Sequence, residues 1–159
     1  LPTDAKTALN AAFKNLGYIS EDGLTESTSI DTNTVKAWGG DVVMVNQTGK
    51  TTTFSLTLIE ALSEEVQKYT HGADNVTGNL TTGMTVKNAS GELEPEVLVV
   101  EQIMNGNVLK RTVIPSGKIT AIGDISYKDG EPVGYNVTIT ASVDATGTAS
   151  YDYYIKQGE

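Results

Sequence analysis

The sequence lacks cysteine and has a single histidine, His71, among its 159 residues. Without thiols, neither a disulfide framework nor a thiolate metal site is available. One histidine excludes a metal site built from several imidazoles, and it leaves His71 as the only possible base of a Ser-His-Asp arrangement. His71 stands at the end of a predicted short helix, where the helix dipole favours a cation. A structural position therefore explains His71 better than catalysis does.

Positive charge is also scarce: the sequence has 11 Lys and Arg residues and 20 Asp and Glu residues, for a net charge of −9. Tight binding of nucleic acids or anionic membranes depends on clustered cations, so this balance argues against both. No apolar run approaches the roughly 20 residues that a membrane helix needs. The first ten residues, LPTDAKTALN, lack the basic start and apolar middle of a signal peptide. The sequence predicts a soluble protein.

The common catalytic motifs are missing as well. Neighbouring carboxylates occur at Glu64–Glu65 and at Glu92 and Glu94, but their polar surroundings indicate a solvated surface, whereas catalytic carboxylates need burial or close pairing. The turn at Asp129 lacks the alternating oxygen ligands of a calcium loop, and no Gly-rich phosphate loop is present. We therefore predict no catalytic, cofactor-binding or metal-binding residues, and a protein that is not an enzyme.

The residues that are present favour strands. Hydrophobic residues make up 38% and aromatics 6%, with much Thr, Asn, Ser and Gly, a composition typical of short strands joined by polar turns. Phe54, Leu56 and Leu58 alternate with polar residues, and a second alternating run covers 135–143. Asn105-Gly106 is a strong hairpin signal. The prediction is a mainly β fold: a β-sandwich or barrel of about eight strands.

Two helices are predicted beside these strands. Residues 3–16 carry an apolar stripe at helical spacing, with Thr3 as a cap and Gly17 as a stop. A second, packed helix follows the Phe54 strand and ends at Gly72. The polar segments 17–30 and 73–94 are predicted to be an extended arm or loop and a loop, respectively.

The only tryptophan, Trp38, precedes Gly39 and Gly40, and paired glycines inside a strand pattern suggest a bend. A polar hairpin turn is predicted beyond it, at residues 47–50. We expect Trp38 to be a buried anchor at the bend, since a tryptophan is more often part of a core than a ligand platform. It would hold the hairpin against one face of the second helix. The predicted structural anchors are Trp38, Gly39, Gly40, Leu62, Val66 and Tyr69.

The order of these motifs resembles the major tail protein of long-tailed, non-contractile bacteriophages (siphophages), the subunit of the tail tube. The first half carries the resemblance through GYI at 17–19, DG at 22–23, WGG at 38–40 and FSLTLIE at 54–60. The second half matches in strand pattern and length more than in motif. Tube proteins of contractile tails and of type VI secretion systems share the same architecture.

The resemblance implies a single tail-tube domain over residues 1–159 and assembly into hexameric rings that stack into a tube. Such a tube houses the tape-measure protein and conducts double-stranded DNA without specific binding. The implied partners are other copies of the chain, the tape-measure protein, and the tail terminator and baseplate proteins. The implied location is the virion tail, assembled in the host cytoplasm, with no cofactor and no membrane.

Physical arguments favour particular residues for the wall of such a lumen. An acidic subunit repels DNA phosphates at close range, and small uncharged side chains offer a passing polymer no anchor. Glu101 and Asp124 are candidates for lumen charge, because each interrupts an otherwise apolar or neutral strand. The alternative for both is that they face the outer solvent. The uncharged candidates are Thr51, Thr53, Ser55, Thr57, Asn136, Thr138, Thr140 and Ser142.

A different class of protein shares several of these features. A secreted or surface β-sandwich, such as an adhesin or a pilin-like binding module, is also rich in Thr and Asn and has no catalytic residues. It would ordinarily bring a signal peptide. Ring or tube formation distinguishes the tail protein from such a monomeric binding module.

Overall fold

The structure is a computed structural model that describes residues 1–130 and 133–157, so the last two residues of the predicted domain lie outside it. Within these residues there are eight strands and one α-helix, which confirms the mainly β class. The elements are β1 (Thr25–Lys36), β2 (Val42–Leu58), α1 (Glu64–His71), β3 (Val76–Asn79), β4 (Gly83–Val86), β5 (Glu96–Met104), β6 (Val108–Ile122), β7 (Tyr135–Ala141) and β8 (Tyr151–Lys156).

Six strands form one antiparallel sheet in the order β1-β2-β7-β6-β5, and β8 also pairs with β6. β7 and β8 pair with different parts of β6. β7 pairs with residues 117–122 and β8 pairs with residues 108–113. β3 and β4 form a separate two-stranded sheet inside the predicted loop 73–94. Within the described residues, β1, β5 and β8 each pair with a single strand and are the edge strands of the large sheet.

The core lies on one face of this sheet. The alternation of β2 continues into its partner β7, where Phe54 faces Ile139 and Leu56 faces Val137 in register. Helix α1 covers these side chains with Val66, which is fully buried. The predicted second helix is thus confirmed, and it ends at Gly72 with a positive φ of 90°. The buried cluster is Phe54, Leu56, Leu58, Ala61, Val66, Ile114, Tyr135, Val137, Ile139 and Ala141.

β1 and the first half of β2 form a hairpin that projects beyond the sheet. β7 pairs with β2 only from Thr52 onward, so residues 30–50 pair only with each other. At about 3.4 Å per residue, this part of the ribbon extends roughly 25 Å. Its turn lies at 37–41, where Gly40 has a φ of 93° and donates to the carbonyl oxygen of Ala37 at 2.9 Å. The predicted bend at 39–40 is therefore the hairpin turn itself.

The turn predicted at residues 47–50 is wrong, because β2 runs straight through them. Asp31 pairs with Gly49 and Thr32 pairs with Gln47, so Thr48 has no partner and forms a bulge. The polar composition of this stretch marks an exposed strand rather than a reversal. The arm predicted at 17–30 corresponds to the loop 17–24 and the first half of β1.

The predicted N-terminal helix over residues 3–16 is also wrong, and this stretch contains only turns and bends. Asp4 does form a cap, accepting the amides of Lys6 at 2.7 Å and Thr7 at 2.6 Å, and the hydroxyl and amide of Thr7 lower its pKa to about 2. The helix does not continue, because Asn10 accepts the amide of Ala12 through its side chain. Side-chain bonds of this kind compete with helix formation.

A buried arginine is the second reason why residues 3–16 do not form a helix. Arg111 of β6, 4% exposed, donates through Nη1 to the carbonyl oxygens of Asp4 at 2.8 Å and of Thr7 at 2.9 Å. Those are the carbonyls to which the first turns of a helix would bond. Its Nε also donates to the Glu101 carboxylate at 2.8 Å. The N-terminal segment is thus anchored to the β5–β6 pair instead of coiling on itself.

This anchor predicts a large effect of charge reversal at Glu101. In Glu101→Lys a second cation would face the buried guanidinium of Arg111, and we expect the free energy of unfolding to fall by about 2–4 kcal/mol. Asp124→Lys is the matched control, because Asp124 is exposed and should change stability by less than about 0.5 kcal/mol. Urea unfolding measures both. Equal unfolding midpoints for the two variants would contradict the anchor.

Candidate functional site

The face of the large sheet opposite the core is lined by hydroxyl groups. In β2 the side chains that alternate with the core residues are Thr51, Thr53, Ser55 and Thr57. Their partners in β7 are Thr140 for Thr53, Thr138 for Ser55 and Asn136 for Thr57. The structure thus brings seven of the eight uncharged lumen candidates onto one face, and Ser142 lies one residue beyond β7.

These polar side chains bond to one another across the strands. Ser55 and Thr138 lie 3.4 Å apart through their hydroxyls, and Asn136 donates to the hydroxyl of Thr57 at 3.1 Å. Thr140 lies 2.9 Å from the hydroxyl of Thr120 in β6, which extends the row to a third strand. Such cross-strand pairs stabilise a sheet and hold the hydroxyls in fixed positions. We call this surface the hydroxyl face.

β1 continues the hydroxyl face, which the sequence analysis did not anticipate. Thr25, Ser27 and Ser29 pair with Ser55, Thr53 and Thr51, and Thr53 donates to the carbonyl oxygen of Ser27 at 3.5 Å. The signal was available in the sequence, since TESTS at 25–29 alternates small hydroxyls with other residues in the same period. The face spans four neighbouring strands, from β1 to β6.

The two acidic lumen candidates have different surroundings. Glu101 is bonded to Arg111, so its charge is compensated within the chain. Asp124 is exposed and follows β6 next to Gly123, whose amide donates to the carbonyl oxygen of Asn136 at 2.8 Å. Asp124 therefore lies near one end of the hydroxyl face. Glu101 is thus an exposed carboxylate whose charge is paired with a buried guanidinium.

The hairpin carries the second unusual surface, which is apolar. Trp38 at its tip is 105% exposed, so the prediction that it is buried against α1 is wrong. Leu62, 70% exposed, also does not join the helix face, whereas Val66 does and Tyr69 packs against the core from its edge. Trp38 remains exposed because the hairpin turn projects past the part of β2 that pairs with β7, so none of the described strands covers it. The large apolar side chains exposed on the ribbon are Ile30, Val35, Trp38, Val42, Val43, Met44 and Val45.

The ribbon exposes a continuous apolar run, because Val42, Val43, Met44 and Val45 follow one another and each is more than half exposed. Contiguous exposed apolar surface on a folded protein marks a site of interaction. The consecutive run VVMV at 42–45 was the sequence signal for a strand covered on both faces. We call residues 35–45 the apolar tip.

Other kinds of site find little support in the described parts of the chain. No group of three or more His, Asp or Glu side chains is arranged to hold a metal ion in residues 1–130 and 133–157. No helix among these residues is long and apolar enough to cross a membrane. His71 bonds to the hydroxyl of its neighbour Thr70 at 2.9 Å and packs edge-on against Tyr135, which are local structural contacts.

The described residues thus combine a mainly β fold with a neutral polar face and an exposed apolar ribbon. Residues 1–158 match the family of phage tail tube proteins, and the chain belongs to that family. A search of curated proteins gave no match. Family membership favours a structural protein of the virion tail over the adhesin or pilin-like alternative.

The position of Trp38 generates a prediction that separates folding from assembly. Trp38→Ala removes no contact within the chain, so we expect the melting temperature of the monomer to stay almost unchanged. Phe54→Ala is the control in the core, and it should cost about 3–5 kcal/mol. Thermal unfolding followed by circular dichroism measures both, and light scattering measures self-association. A marked loss of monomer stability in Trp38→Ala would contradict the exposed position.

Proposed function

We propose that this chain is the building block of a siphophage tail tube, in which hexameric rings stack around a lumen lined by the hydroxyl face. The observation that carries the proposal is the position of that face: uncharged hydroxyls occupy the sheet surface opposite the core across four strands. In this proposal the chain acts as a single tail-tube domain with the hairpin as its arm. The lumen houses the tape-measure protein during assembly and conducts double-stranded DNA afterwards.

The chemistry of the hydroxyl face suits a polymer that must slide. Ser, Thr and Asn side chains in these rows bond to one another, which leaves few groups to hold a phosphate. Lys118, the cation that pairs with Thr140 across β6 and β7, is neutralised by an ion pair with Glu92. The chain has a net charge of −9, so a ring of copies repels DNA over about 8 Å at physiological ionic strength. Asp124 and Asp31 are the acids that we place at the ends of this surface.

The open edges of the sheet support a ring. β1 and β5 each offer one strand side without a described strand partner, and such edges pair readily with another chain. Copies joined edge to edge would make one continuous wall with the hydroxyl face on one side and the cores on the other. The apolar tip, which projects roughly 25 Å, is in a position to contact the next ring. Tail terminator and baseplate proteins would cap the two ends of such a tube in the host cytoplasm.

The assembly itself is tested by electron microscopy and light scattering of the purified protein over a wide range of concentrations. We expect rings or tubes at high concentration, with a mass of six copies per ring. The Trp38→Ala variant should form fewer of them, because the apolar tip contributes to contacts between copies. A protein that stays monomeric at all concentrations and in the presence of tail partners would overturn the proposal.

The lumen assignment is tested by placing cations on the hydroxyl face. In virions carrying Thr138→Lys, a ring of lysines would attract DNA, and we expect ejection to slow, most at low ionic strength where screening is weakest. Thr77→Lys is the matched control, because Thr77 is an exposed residue of β3, away from the large sheet. Ejection is followed by the fluorescence of released DNA. Equal ejection rates for both variants at low salt, in particles with normal tails, would show that the hydroxyl face does not line the lumen.

A further inference from the structure

A large open groove lies between residues 9–19, helix α1 and strand β5. Its volume is about 1090 Å³, and its floor includes Leu56, Leu58 and Ile139 from the hydrophobic core. Leu9 and Phe13 line its wall on the side of the N-terminal segment. Protein interiors are close-packed, so core side chains beneath an open groove of this size indicate a place that another group fills.

Tyr69 of α1 indicates what that group must supply. Its hydroxyl is buried at the groove and has no hydrogen-bond partner among the described residues. Burial raises the pKa of Tyr69 above its usual range, which favours the protonated hydroxyl that can donate a hydrogen bond. Buried hydroxyls are nearly always bonded, because an unpaired one costs the full desolvation penalty. An occupant of the groove should therefore bring an acceptor to Tyr69.

The apolar tip of the same chain has matching properties. Trp38 supplies a large aromatic surface that has no contact in its own copy. The described hydrogen bonds of the turn use the carbonyl oxygens of Ala37 and Asp41, which leaves those of Trp38 and Gly39 as acceptors. The tip carries one cation, Lys36, and one anion, Asp41, and the groove is lined by charges of both signs. The apolar surface and the acceptors of the tip thus complement the groove.

We propose that this groove is the receptor for the Trp38 tip of a second copy, with the Tyr69 hydroxyl donating to a carbonyl oxygen of the incoming turn. The occupant comes from another copy because the hairpin carries Trp38 away from its own sheet. A tip and a groove at different places on one chain make a head-to-tail contact, which closes a ring or continues indefinitely. The inference rests on the proposed function, since it specifies how copies in a tube hold one another.

The chain reports on this contact by itself, because Trp38 is its only tryptophan. On assembly of the wild-type protein we expect the emission of Trp38 to shift to the blue and its quenching by acrylamide to fall severalfold. Tyr69→Phe should leave the monomer as stable as before or more so, since it removes an unpaired hydroxyl. It should raise the concentration for half-maximal assembly roughly fivefold to tenfold, because one interface hydrogen bond is lost.

Disulfide trapping locates the contact, and a chain without cysteine gives no background. Gly39 tolerates cysteine, because its φ is not in the left-handed region and no atom lies within 4 Å of an added Cβ. Gly39→Cys copies mixed with Val97→Cys copies should give a covalent heterodimer, since Val97 lines the groove. Leu80→Cys replaces Val97→Cys as the control, because Leu80 is exposed outside the groove.

The outcomes distinguish this inference from the proposed function. A blue shift together with trapping at Val97 and not at Leu80 supports the groove as receptor. Tubes in which Trp38 remains accessible to acrylamide, or in which trapping is equal at both positions, overturn the inference and leave the tube function intact. No trapping at Val97, as expected if the N-terminal segment of the same copy closes the groove, also overturns the inference. Absence of any assembly would instead contradict the proposed function.

Discussion

The antiparallel pairing of β2 with β7 is the constraint on which the rest of the structure depends. Each strand alternates apolar and polar residues, and the register places Phe54 opposite Ile139 and Ser55 opposite Thr138. A slip by one residue would exchange the two faces and expose the core. The same pairing therefore creates the buried cluster under α1 and the hydroxyl face on the other side. Core and candidate lumen are two consequences of one register.

Two segments beyond the β2–β7 pairing, the projecting hairpin and the N-terminal segment, are weakly supported by the rest of the chain. The hairpin extends past the last residue that β7 can pair, and a two-stranded ribbon alone is marginally stable in water. It exposes a continuous apolar run, which water penalises. The N-terminal segment is similar, since it depends on Arg111 and on short turns rather than on a helix of its own. The exposed apolar side chains of the hairpin are expected for a family whose members assemble into a tube.

The elements that depend on local alternation of apolar and polar residues were predicted correctly from the sequence. The features that depend on residues far apart in the chain were missed. The strands around Phe54 and Ile139, helix α1 and the β2 and β7 members of the hydroxyl face follow from period and composition. The N-terminal helix was predicted from an apolar stripe, but Arg111 lies more than 100 positions away and takes the carbonyls that the helix would need. Trp38 was assigned to the core because tryptophan usually is buried. No local pattern could show that its turn lies beyond the sheet.

The exposure of Trp38 and the hydroxyl of Tyr69 have a common physical meaning. A chain that folds alone has no reason to keep a tryptophan in water and a tyrosine hydroxyl buried without an acceptor, since each costs free energy. Both costs are removed only by a contact between copies that covers Trp38 and brings an acceptor to the Tyr69 hydroxyl. In the proposed tube, the same two features would therefore favour association, because each is costly in the free subunit and relieved in the contact.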